Sequence, residues 1–163
     1  MSLRSLLDRI RTQSDRTCTL YVIVPFIEIG SHSWRSTPMA AKAGARVCLI
    51  TRSPTSFDLA NGISCLERLG GRTVIVENLH AKAIIWFGRS RRDKAAFIGS
   101  NNFTSSSENH SIELGMFVVG DDPAENLVYR DLKSFVENLA SPRRPHRAHS
   151  GSACRGLQRG QRT

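Results

Sequence analysis

The sequence predicts an α/β fold: a mixed, largely parallel sheet flanked by helices. The first sign is Cys18–Ile29 (CTLYVIVPFIEI), apolar nearly throughout and rich in β-branched and aromatic residues, as a strand buried on both faces is. The second is Ala45–Thr51 (ARVCLIT), a similar run separated from the first by Trp34–Lys42, which can form a helix, so the two runs read as a β-α-β unit. The third is size: 163 residues, 40% of them hydrophobic, can bury one self-sufficient core.

Ahead of the first strand, Leu3, Leu6, Leu7 and Ile10 fall at helical spacing and put one apolar face on a short amphipathic helix. Gly30–Ser33 interrupts the first apolar run, and Gly44 leads into the second. Ser56 or Asp58 can cap a helix that presents Leu59, Ile63, Leu66 and Leu69 on one side before Gly70-Gly71 stops it. Thr73–Glu77 (TVIVE) and His80–Phe87 (HAKAIIWF) read as strands divided by Asn78-Leu79. The charged run Gly88–Lys94 then forms a loop to Ala95–Gly99, so that the last two strands make a hairpin. Ser111–Val119 is a further strand, and Asp122 or Pro123 opens a helix reaching about Leu139. Residues 1–140 are the expected domain. Residues 141–163 carry six arginines, no acid and almost nothing apolar, the composition of a disordered tail.

That tail accounts for +6 of the formal charge of +9, leaving +3 on the body. The balance points to an anionic partner, nucleic acid or a lipid headgroup surface. No apolar run approaches the roughly 18 to 20 residues that cross a bilayer. Charges scattered through the first residues are unlike a secretory signal, and the expected location is the cytoplasm. Cys18, Cys48, Cys65 and Cys154 form no C-x-x-C pair, which favours buried free thiols over a zinc site or a disulfide framework; no cofactor and no metal is expected.

The chemistry-bearing residues cluster in the middle of the chain. His80 and Lys82, two apart in a predicted strand, project from one face, and Ser100 and Asn102 repeat that spacing at the end of the next strand. An imidazole, an ammonium, a hydroxyl and a carboxamide can together surround a phosphate, the imidazole attacking phosphorus while the others engage the non-bridging oxygens. Glu113, in a further apolar strand, is a charge that needs a partner there and can orient the His80 ring. Arg89, Arg91, Arg92 and Lys94 make a positive hairpin tip close in sequence to these residues, where a nucleic-acid backbone or only solvent would be met. Trp34 and Trp86 fit the core better than a base-stacking platform.

His80-Ala81-Lys82 followed by Gly99-Ser100-Asn101-Asn102 resembles the H-x-K and G-S-x-N elements of the phospholipase D superfamily. The likeness takes in Pro25–Ile27, Ile50–Arg52 and the strand bearing Glu113, about Thr17 to Leu139 of the chain. The family's fuller pattern places an Asp five residues after the Lys, where this chain has Phe87. The resemblance implies a phospholipase D-like fold and metal-independent phosphodiester cleavage with His80, Lys82, Ser100, Asn102 and Glu113 at the catalytic site. It also implies two histidines per site, one attacking and one protonating the leaving oxygen. None of His32, His110, His146 and His149 is followed by a Lys two residues on, so a second His80 must come from another copy, or the chain is inactive. The expected function is therefore a homodimeric DNA endonuclease acting through a covalent phosphohistidine. Alternatives are a phospholipase or phosphatidyltransferase on lipid headgroups, or a non-catalytic phosphate-binding module that is the recognition or dimerisation part of a larger assembly; a separate recognition subunit or domain is a candidate partner.

Overall fold

A computed structural model describes residues 2–90, 94–100, 102–105, 115–119 and 123–141. In chain order the elements are α1 (Leu3–Gln13), β1 (Thr19–Ile23), α2 (His32–Lys42), β2 (Arg46–Thr51), α3 (Phe57–Arg68), β3 (Arg72–Ile75), β4 (Ala83–Phe87), β5 (Lys94–Gly99), β6 (Gly115–Val119) and α4 (Pro123–Ala140). Serine starts the first three helices. The hydroxyls of Ser2, Ser31 and Ser56 accept from the backbone N–H groups of Ser5, Trp34 and Leu59, satisfying donors that a first helical turn leaves open. At the end of α3 the chain turns back through Gly70 at φ +81°, a conformation that costs a residue without a side chain little.

The six strands form one sheet in the order β3-β2-β1-β4-β5-β6. β1, β2 and β3 are parallel neighbours, whereas β4 runs against β1, β5 against β4 and β6 against β5. Four strands thus point one way and two the other, the mixed sheet that the sequence predicts. Alternation along each strand divides the core in two. Leu20, Val22, Val47, Leu49, Ile84, Trp86, Ala95 and Phe97 face α1, α2 and α3, while Ile23, Cys48, Ile50, Ile85, Ala96 and Val118 face α4. Trp34 and Trp86 are buried in the first of these layers, as core residues.

Two strands are shorter than the apolar runs that announce them. Of Cys18–Ile29 only Thr19–Ile23 joins the ladder, because Pro25 has no N–H to donate; beyond it, Ile27 pairs instead with the distant Phe103. His80–Lys82 precede β4 rather than lying in it, since their would-be partner in β1 has ended.

Candidate active site

The carboxyl ends of the parallel strands are where the sequence motifs converge, and the topology explains why. β3 ends at that edge on the outside of the sheet, and β4 begins at the same edge next to β1, so residues 76–82 must cross the ends of β2 and β1. Asn78, at φ 58°, makes the turn that starts the crossing; Asn accepts this left-handed conformation better than most residues. β5 returns to the same edge and delivers Ser100 and Asn102. The amide of Gly99 donates to the carbonyl of Lys82 (3.1 Å), which holds the two motif segments side by side.

The segment carrying Asn102 is fastened to the loop after β1. The Phe103 amide donates to the Phe26 carbonyl (3.2 Å), and the Ser31 hydroxyl donates to the Phe103 carbonyl (3.1 Å). Glu28 accepts from both the amide (2.8 Å) and the hydroxyl (2.9 Å) of Ser105. Glu28 was not among the candidate residues; an acid inside an otherwise apolar run was the signal that it had a fixed partner. Arg52, just past β2, lays its guanidinium 3.8 Å from the Phe26 ring centroid and packs the same loop from the other side.

His80 and Ser100 are exposed, Asn102 is half-buried, and Lys82 retains only 9% of its exposure. The Lys82 Nζ lies 3.4 Å from the His80 Nε2. An ammonium can only donate, so a hydrogen bond here uses an Nε2 lone pair, the tautomer with its ring proton on Nδ1. Among the described residues no carboxylate lies within ion-pair distance of Lys82, so a buried cation waits without a counter-ion, a costly arrangement unless an anion completes it. Asn102 adds a side-chain oxygen that is buried and lacks a donor among those residues.

His80, Lys82 and Ser100 line a cavity of about 490 Å³. Its remaining wall is apolar: Ile23, Ile85 and Ile98 from the sheet, and Leu132 and Phe135 from α4. The α4 residues escaped the sequence reading as site residues because an i, i+3 apolar pair looks the same whether it meets a core or a cleft.

The structure does not bring every candidate together. Glu113, Arg91 and Arg92 lie outside the described residues. Arg89 and Lys94 are described, and the expectation that they flank the site needs correcting. β4 runs away from His80, so Arg89 and Lys94 sit at the opposite edge of the sheet, about 16 Å off over five strand residues. There Arg89 Nε pairs with Asp15 (2.6 Å), and Lys94 lies over the Tyr129 ring, 5.8 Å from its centroid. Closeness in sequence misled here because an antiparallel turn carries its tip away from the strand's start.

No protein-family model matches the chain, and no curated protein matches it by sequence. Solved structures do match it. A phospholipase D family member, Nuc from Salmonella typhimurium, superposes with a TM-score of 0.61 at 18% identity, over 83% of this chain and 82% of that one. This is a phospholipase D-like fold. Polyphosphate kinase from Porphyromonas gingivalis is similar too, with a TM-score of 0.64 at 17% identity over 89% of this chain. The chain spans only a quarter of that kinase's length. In this fold His80, Lys82 and Ser100 line one cleft at one edge of the sheet, and Asn102 follows Ser100 at that edge.

Proposed function

We propose that this phospholipase D-like chain hydrolyses phosphodiesters of DNA without a metal ion, through a phosphohistidine on His80. The observation that carries the reading is the contact between a buried Lys82 ammonium, with no carboxylate partner among the described residues, and the Nε2 of an exposed His80 at the mouth of a cleft. A phosphate entering between them supplies the missing counter-ion. The Nε2 lone pair then attacks phosphorus, a P–N bond forms, and the P–O bond to the leaving group breaks. Lys82, with the amide of Asn102 and the hydroxyl of Ser100, holds the non-bridging oxygens as charge gathers on them. The leaving oxygen takes a proton from a second imidazole, which afterwards draws a proton from water as the water attacks the phosphohistidine and frees His80.

The second imidazole is His80 of another copy of the chain, in a homodimer with a shared site. In support, His80 lies at the surface, and an apolar rim stands beside it: Phe135 is 51% exposed, and Met116, paired with Ile98 of the cavity wall, is 56% exposed. Apolar side chains left open beside a half-complete site are what a second copy would cover. The basic balance of the chain suits a polyanionic substrate such as DNA.

The test is to incubate the protein with labelled single- and double-stranded DNA, RNA and phosphatidylcholine vesicles in EDTA. DNA cleavage supports the reading. Headgroup release without nucleic-acid cleavage would replace it with a lipid phosphodiesterase, and no turnover of any substrate would leave a phosphate-binding module.

A further inference from the structure

At the opposite edge of the sheet, on the α4 face, a second and larger cavity of about 840 Å³ opens. Its lining follows from the strand register. Arg72 of β3 lies opposite Cys48 of β2, which lies opposite Tyr21 of β1. One row further toward the edge, Arg46 of β2 lies opposite Thr19 of β1, which lies opposite Phe87 of β4. Further along β2 and β3 this same face carries Ile50 and Val74 and is wholly apolar. Two guanidinium groups on it depart from the pattern that buries the rest.

Lys133 from α4 adds a third cation, and Glu137, 3.8 Å from it, is the one carboxylate among the described residues of the lining. Arg72 also donates to the Ala140 carbonyl, which ties α4 down beside the cavity. Among the described residues no carboxylate lies within ion-pair distance of Arg46. The charge excess is therefore positive and not internally neutralised. At the other end of the same rows stand two aromatic rings, Tyr21 and Phe87, whose centroids are 6.4 Å apart edge to face. Burial raises the Tyr21 pKa, which keeps its hydroxyl a neutral donor at the wall. From Arg46 to Phe87 is two interstrand spacings, about 10 Å. A concave site with two guanidinium groups at one end and two aromatic rings at the other, where Lys133 Nζ lies 6.0 Å from the Phe87 centroid, suits a ligand that is anionic at one end and flat at the other.

We propose that this cavity binds a nucleotide, with Arg46 and Arg72 on the phosphate and Tyr21 and Phe87, with Lys133 beside them, against the base. The nucleotide is either free or one unit of a single strand. The site is independent of the chemistry at His80: a chain that cleaves nothing can still bind here. Two probes separate the sources. Adenosine 5′-monophosphate has no phosphodiester and is titrated into the wild-type protein. A ten-residue oligothymidylate is titrated into full-length His80→Ala, so that the probe survives. Saturable binding of either probe, weakened about tenfold by Arg46→Gln and measurably by Lys133→Gln, supports the site. The probe that binds identifies the source. Both positions are exposed, so unfolding midpoints near wild type will show that the variants fold. If neither probe binds, or if both bind equally well with Arg46→Gln and Lys133→Gln, the assignment is overturned.

Discussion

His80 is exposed, and among the described residues its side-chain hydrogen-bond partner is Lys82, so its removal separates chemistry from stability. His80→Ala is expected to abolish turnover and leave the unfolding midpoint within a degree or two, because an exposed side chain away from caps and core contributes roughly half a kcal/mol or less. Lys82→Ala has a different signature. It should depress kcat more than it raises KM, since the ammonium faces charge that builds only in the transition state, and it should raise or preserve stability by relieving a buried cation that has no carboxylate partner among the described residues. A loss confined to KM would move Lys82 to ground-state binding. Asp15 supplies a pH prediction. Its carboxylate accepts from the Thr17 hydroxyl (2.6 Å) and amide (2.9 Å), and these bonds, with a smaller contribution from Arg89, hold its pKa at about 2. A carboxyl whose pKa is lowered on folding stabilises the fold above its unfolded value and loses that contribution as pH falls. Asp15→Asn should therefore be less stable than wild type at neutral pH, with the gap closing between about pH 4 and pH 2 in acid-unfolding curves. A gap independent of pH would place the effect elsewhere.

Among the elements, the helices were the most legible in the sequence. Ser56, Leu59, Leu66 and Gly70-Gly71 marked both ends and the buried face of α3. Strand ends were less so, because Cys18–Ile29 is apolar beyond the ladder: Ile27 is buried by pairing with Phe103, a contact between residues far apart in the chain that no local pattern announces. The candidate site shows the same division. The His80 and Lys82 pair and its neighbour Ser100 could be read from spacing, whereas the place of Arg89 and the α4 wall depended on strand direction and on a helix crossing from β6 to β3. One strand detail is testable directly. A Cβ on Gly115 of β6 would sit 1.9 Å from Cε2 of Phe97, whose buried ring packs tilted against Phe117 at 4.9 Å. Gly115→Ala should cost about 1–3 kcal/mol in urea unfolding through this overlap. Adding Phe97→Leu should recover part of that loss; if the two changes are additive instead, the ring is not the cause.

Across the whole molecule three regions have three proposed tasks: cleavage at the carboxyl edge, nucleotide binding at the opposite edge, and non-specific attraction by the arginines that follow Ser141. Ending the chain at Ser141 should weaken DNA binding and flatten its dependence on salt, while turnover at saturating substrate persists; an unchanged salt slope would make the tail a bystander. Because each chain has one H-x-K motif, activity should fall away on dilution below the dimer dissociation constant. Mixed dimers of wild type and His80→Ala should trap a phosphoenzyme or stall. Half the wild-type rate per dimer would mean that each chain holds a complete site. The central claim, that His80 is the nucleophile of a metal-free phosphodiesterase, is tested most directly by the initial rate of cleavage of end-labelled single-stranded DNA in EDTA, wild type beside His80→Ala. The account predicts steady cleavage by the wild type and a rate at least about a thousandfold lower for the folded variant. Cleavage that appears only when magnesium is added, or that survives in His80→Ala, would contradict it.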